Sequence, residues 1–413
     1  MKKKRIVITG AGVVCPIGIG KDNFWQNLFK GKSNFSPISL FDTRKLKVTI
    51  AGETKDFNAA DYLGQKGLRD LDRTAKFLCV ATKFALEDSC LLDQKRTHRT
   101  GISLGTTLGS TKSYIGFDLD LIRNGPRFVN PSQFPNVVAN SAASRIAIKF
   151  SITGFNSTVS NGSCSFSDAL EYAIGAIDNN RADKVIVGSA EELSEEIFAG
   201  FYAAKCLAGM NKKLQLVCCP FDKRRNGVIL SEGAGIVIIE ELTAALKRKA
   251  KIYAEIIGIN SLFSSKKSMA YDPSGAGIAN VMQGCLDAAV VSKKNIDLIF
   301  ANANSTKYAD IAETKAIKSV FKLYAKKIPI TAVKSIIGET YSASGAISIV
   351  AGLGALQNNL IPPTINQKQK DLQCDLDYVP NCVRRARLKT IMFNSFDLNG
   401  AHSAIIIKKF QGE

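Results

Sequence analysis

The residues best placed to do chemistry lie in one short stretch, Ser157–Leu170 (STVSNGSCSFSDAL). There an apolar strand ends in an Asn161-Gly162-Ser163 corner that feeds directly into a helix. Such an elbow holds one side chain at the head of a helix, where the helix N-terminus lowers the pKa of a thiol and free N–H groups face a developing anion. Ser163 occupies the corner. Cys164 follows one residue later, and a helical step of about 100° turns it away from the direction of Ser163. Cys164 therefore reads as a small, semi-buried apolar residue. An unactivated serine needs a neighbouring base, and the chain's only histidines are His98 and His402.

The elements that must position this corner alternate between strand and helix. Residues 5–14 form a buried strand, and Asp22–Gly31 a helix with Trp25, Leu28 and Phe29 on one face. Arg69–Leu91 is a long amphipathic helix, Gly101–Thr106 a strand, and Ser110–Arg123 a helix whose Tyr114, Phe117 and Leu121 fall at spacings of three and four. That stripe fits core packing as well as it fits a binding wall. A helix over Val137–Phe150, the elbow strand, a helix over Ser165–Asn180 and a strand over Lys184–Val187 complete a first run. After a short basic helix at Leu246–Lys249 the alternation starts again, with strands at Ile252–Ile259, Leu298–Ala303, Ile328–Val333, Ile391–Phe396 and Ser403–Lys408. The helices between them are Gly277–Val290, Ala309–Leu323 and Ser342–Leu356. Two such runs imply two α/β halves with central sheets, residues 1–250 and 251–413.

Bulk composition narrows the function. With 413 residues and 46% hydrophobic content, the chain builds a large core. Its net charge of +19 attracts acidic partners. The basic residues are dispersed among 8% aromatics with no stacking motif, so no nucleic acid is expected; an acidic carrier protein and a merely soluble surface fit the charge equally well. The opening MKKKRIVITGAGVV reads as a first strand and not a signal peptide, and no apolar run reaches membrane-spanning length. Ten cysteines without metal-ligand spacing, Cys218 and Cys219 among them, point to reduced thiols, a cytoplasmic protein and no metal site.

Several motifs together resemble the β-ketoacyl synthases, the condensing enzymes of fatty-acid and polyketide synthesis. They are the elbow, the Ile17-Gly18 turn, Leu40-Phe41-Asp42, Pro220-Phe221-Asp222 and the turn Ser231-Glu232-Gly233-Ala234-Gly235. The resemblance covers essentially the whole chain and implies a thiolase-like fold, two pseudo-duplicated α/β halves in an αβαβα layering. It also implies a cysteine at position 163, where this chain has Ser163. Of the family's two histidines, the first falls in Asn302-Ala303-Asn304-Ser305-Thr306 and is Asn304 here. The second follows Lys334-Ser335-Ile336-Ile337-Gly338 and is Glu339. Lys334 is kept, but its usual glutamate partner is Ser348, so Glu339 or water is expected to satisfy the ammonium. The Gly-Phe-Gly-Gly loop that helps form the oxyanion hole reads Asp397-Leu398-Asn399-Gly400.

A condensing-enzyme scaffold altered at every reactive position is similar to the chain length factors, the β subunits of type II polyketide ketosynthases, whose usual glutamine at the nucleophile position is Ser163 here. That resemblance implies a non-catalytic subunit that pairs with an active ketosynthase α subunit and shapes the polyketide tunnel. Substrate would ride on the phosphopantetheine of an acyl carrier protein, with no other cofactor. Tunnel residues carried over are Leu108, Thr111, Tyr114, Asp118 and Gln133, with Phe117 as the apolar alternative to Asp118. Two other readings stay open: an altered enzyme, as a malonyl-carrier-protein decarboxylase or a Ser163-dependent acyltransferase, and an independent acyl-chain or carrier-protein binding module.

Overall fold

In the structure, a computed structural model that describes residues 3–92, 99–210, 215–265 and 271–412, ten strands lie in order across one eleven-stranded mixed sheet. In chain order they are β1 (Ile6–Cys15), β2 (Thr100–Gly105), β3 (Asn156–Val159), β4 (Lys184–Glu191), β5 (Gly233–Glu241), β6 (Ala254–Phe263), β7 (Leu298–Phe300), β8 (Ile330–Thr331), β9 (Thr390–Phe396) and β10 (Ala401–Lys409). A two-residue strand, Gly18–Ile19, folds back on β1. The order β3-β2-β4-β5-β1 in the first half is matched by β8-β7-β9-β10-β6 in the second. Each half pairs its first two neighbours in parallel and its last two antiparallel. The halves therefore repeat one topology without a repeated sequence, and they meet where Ile6, Val7 and Ile8 pair antiparallel with Ile256, Glu255 and Ala254.

Helices cover this sheet in layers. Helices Arg73–Asp88 and Ser141–Lys149 pack outside the first half, and Ala276–Ala289 with Lys307–Phe321 outside the second. Between them, Ser165–Asp178 and Ala343–Asn358 touch strands of both halves. The second of these central helices is built mostly from Ala, Gly, Ile, Leu and Val and is buried on nearly every side, as a helix without a polar face must be. On the other side of β1, a Cβ at Gly12 would lie 1.9 Å from the Ala81 carbonyl, so only glycine lets helix Arg73–Asp88 lie this close to the strand.

Element boundaries shift where local chemistry overrides periodicity. Asp72 caps the long helix by accepting from the Ala75 N–H at 2.7 Å, which moves its start from Arg69 to Arg73. The helix expected over Val137–Phe150 runs only from Ser141 to Lys149, because Pro131 and Pro135 set a 3-10 turn ahead of it. The expected strand Ile328–Val333 shrinks to Ile330–Thr331, since a helical turn begins at Lys334. Helix Thr111–Asn124 buries none of its residues, and Tyr114 is 53% exposed, so core packing of the Tyr114–Phe117–Leu121 stripe does not hold within this chain.

Candidate functional site

The elbow is rigidly tied. The N–H groups of Cys164 and Ser165 donate to the carbonyls of Asn161 and Gly162 at 3.0 and 3.2 Å. The Ser165 hydroxyl accepts from the Asn161 N–H at 2.8 Å and donates to the Gly162 carbonyl at 2.7 Å. Asn161 also donates to Asp168 at 2.6 Å, and Asp168 accepts from Ser261 of β6 at 2.7 Å, which pins the corner to the second half. Ser163 sits buried at this corner. Cys164 is fully buried with its thiol donating to the Ser395 carbonyl at 3.4 Å, and burial pushes the thiol far above its ordinary pKa. It is no substitute nucleophile.

Lys334, Asn304 and Glu339 converge in a buried network. Lys334 Nζ donates to Glu339 Oε2 at 2.9 Å and to Asn302 Oδ1 at 3.0 Å. Asn304 Nδ2 lies 3.2 Å from the same Glu339 oxygen and 3.3 Å from the Tyr271 hydroxyl. Glu339 Oε1 accepts from the Tyr341 N–H at 2.9 Å and from Ser344 at 3.0 Å. The Glu339 carboxylate thus neutralises the ammonium and uses the donors around it, leaving none of these contacts for an incoming thioester carbonyl. Asparagine accepts and donates hydrogen bonds but moves no proton at neutral pH. Behind the network, Glu313 holds the N–H groups of Asn302 and Ala303 at 3.0 and 2.9 Å, and burial raises its pKa to about 7.

Asp397 supplies what motif reading missed. Its carboxylate accepts from the Asn399 N–H at 2.8 Å and from the Tyr341 hydroxyl at 3.4 Å. Oδ2 comes so close to the corner that a Cβ on Gly162, at φ 54°, would lie 1.5 Å from it. A carboxylate therefore stands at the corner where an acyl oxyanion would develop, and burial pushes its pKa up. The signal was present in the sequence as an aspartate at the head of a loop expected to begin with glycine. Leu398 and Asn399 continue that loop.

The remaining predicted positions separate. Leu108 lines a cavity with Glu192, Ile197, Phe201 and Tyr341. Thr111, Tyr114, Phe117 and Asp118 lie on the helix without buried residues, and Gln133 is exposed on the 3-10 turn. Phe117 touches Phe134 at 5.8 Å between ring centroids. His402 lies 3.0 Å from the Ser264 hydroxyl on β10, and His98 falls outside the described residues. Among the described residues, no group of His, Cys, Asp and Glu could hold a metal ion, and no helix is long and apolar enough to cross a membrane.

Residues 3–245 match the N-terminal domain of β-ketoacyl synthases and residues 253–368 the C-terminal domain; the chain belongs to this family. It is 35% identical over 412 residues to the 3-oxoacyl-[acyl-carrier-protein] synthase 2 of Coxiella burnetii, spanning 99% of both chains. It is 32% identical to the synthase of the same name from Synechocystis, over 100% of this chain and 99% of that one. Among solved structures it is similar to the ishigamide ketosynthase/chain length factor, with 29% identity, a TM-score of 0.92 and coverage of 99% and 100%. A type II acyl carrier protein complex with its hexaketide-bound ketosynthase gives 29% identity, a TM-score of 0.91 and the same coverage.

Burial of unpaired acids predicts an unusual pH response. Glu192 is raised to about 8, by desolvation first and then by Asp72 and Glu232, with Lys112 and Arg73 opposing. A carboxyl whose folded pKa lies above its unfolded value contributes stability below the unfolded value, and that contribution is lost as pH rises through the folded one. Glu192→Gln should therefore match the parent near pH 5 and exceed it by on the order of 1–3 kcal/mol at pH 8.5. Urea denaturation at both pH values checks this, and a stability difference that does not change with pH refutes it.

Proposed function

We propose that this chain is a non-catalytic member of the β-ketoacyl synthase family, akin to a chain length factor. In this reading it pairs with an active ketosynthase and shapes the cavity for a chain carried on acyl carrier protein phosphopantetheine. The observation that carries the reading is the Asp397 carboxylate lodged against Gly162, together with a lysine paired to Glu339. Chemistry that builds negative charge at this corner meets a resident negative charge. Pairing is supported by exposed Tyr114, Ile122, Phe128 and Phe134, an apolar strip unusual on a free surface. β3 supports it too, since it ends the sheet with one edge unpaired. The names of the curated relatives favour an enzyme instead, but the group set against the Ser163 corner is the Asp397 carboxylate and not a histidine.

Co-expression with an intact ketosynthase carrying cysteine and two histidines should yield a heterodimer, with this chain aggregating when expressed alone. A stable, condensing homodimer would refute the proposal. Because Tyr114 is exposed, Tyr114→Ala should change the isolated chain's stability by about 0.5 kcal/mol or less. In the reconstituted heterodimer it should shift product length by one or more two-carbon units, read by mass spectrometry. Unaltered length across Tyr114→Ala, Thr111→Phe and Gln133→Ala would remove these residues from the tunnel.

A further inference from the structure

The cavity beside Leu108 is an odd place for an alkyl chain. Its wall includes apolar Ile197 and Phe201, but also Tyr341, Glu339 and Glu192, and it is partly open to solvent. Glu339 is engaged by Lys334, Asn304, Tyr341 and Ser344. Glu191, also in the wall, accepts from the N–H groups of Thr107 and Leu108 at 2.6 and 3.1 Å and from the Ser342 hydroxyl. Glu192 differs. It is only 3% exposed, it lines the cavity, and its Oε1 is buried with no hydrogen-bond partner.

A buried carboxyl without a partner is costly, and the cost is relieved when a ligand supplies one. Of the two cations that act on it, Lys112 and Arg73, Arg73 is already committed to Glu232 through Nε at 2.7 Å and Nη2 at 2.5 Å. Desolvation raises Glu192 to about 8, so near neutral pH its carboxyl, in the cavity wall, carries a proton and can donate a hydrogen bond. The complement of such a donor is a carbonyl or hydroxyl oxygen on the bound chain.

We propose that Glu192 is a specificity-determining residue that makes this cavity select chains oxygenated near the thioester over fully reduced alkyl chains. The inference rests on the reading of the cavity as a chain-holding site. It does not require the partner subunit to be identified. The discrimination follows from asymmetry: an oxygenated chain pairs the buried donor, while an alkyl chain covers it and leaves it unpaired, a difference that sites of this type convert into large selectivity.

The test uses the full chain, in whatever complex it forms on purification, with octanoyl and 3-oxooctanoyl pantetheine amides, whose nitrogen replaces the thioester sulfur so that no acyl transfer occurs. Calorimetric titration should show the 3-oxo ligand binding about tenfold tighter or more, the size of one hydrogen bond to a buried group. Glu192→Gln keeps a donor and should keep the preference, whereas Glu192→Leu should erase or invert it while still binding the octanoyl ligand. Comparison with Glu192→Leu also assigns the preference to this chain when a partner is present. Equal affinity for the two ligands in the parent, a preference that survives Glu192→Leu, or no binding of either ligand overturns the proposal. Failure to find a ketosynthase partner leaves this measurement unaffected, so the two readings fail separately.

Discussion

Ser163→Cys alone should remain almost inert toward acyl carrier protein thioesters, while Ser163→Cys/Asp397→Gly should take up an acyl group about 10²–10³ times faster. The first variant restores only the atom of attack. Its thiolate would form beside the Asp397 carboxylate, a like charge that raises the thiol pKa. The tetrahedral oxyanion would also meet that carboxylate at the corner. Removing the side chain at 397 opens the corner and takes away the repulsion, an effect set at the size of one oxyanion donor, about 10²–10³ in rate. Neither variant should release carbon dioxide from malonyl carrier protein, because Asn304 and Glu339 cannot do the work of two histidines and Glu339 repels a malonyl carboxylate. Intact-protein mass spectrometry over a single-turnover time course reads both outcomes. Equal acylation rates in the two variants would show that Asp397 does not block the corner.

The second large effect is on stability. Lys334→Met should cost roughly 3–5 kcal/mol, because it leaves the Glu339 carboxylate in the interior without its ammonium. Lys334→Met/Glu339→Gln removes both charges and keeps an amide oxygen for the Tyr341 N–H and the Ser344 hydroxyl, so it should recover more than half of the loss. Denaturant midpoints of the parent, both single variants and the double give the coupling directly. A double variant as unstable as the sum of the singles would mean that the pair does not act as a unit.

This same pair was half-legible before any coordinates. Lys334 and Glu339 lie within one short motif, so a lysine robbed of its usual partner at Ser348 has Glu339 within reach, and they do pair at 2.9 Å. Cys164 behaved likewise, since one helical step decides which way a side chain faces. Contacts between distant segments were not legible. Helix periodicity put Tyr114, Phe117 and Leu121 on one stripe but could not say that this helix lies unburied on the surface of the chain.

By itself, then, the sequence determined the family, the alternation of strands and helices, and the replacement at 163, 304 and 339 of each side chain expected to react. Those are local properties, written in residue type and spacing along one element. Only the tertiary structure decided that the two halves share the strand order 3-2-4-5-1, that Asp397 turns its carboxylate onto Gly162, and that Glu192 meets the cavity without a partner. Each of these depends on segments far apart in the chain being brought together by the shared sheet and the two central helices, and spacing carries no record of a distance across a packed core.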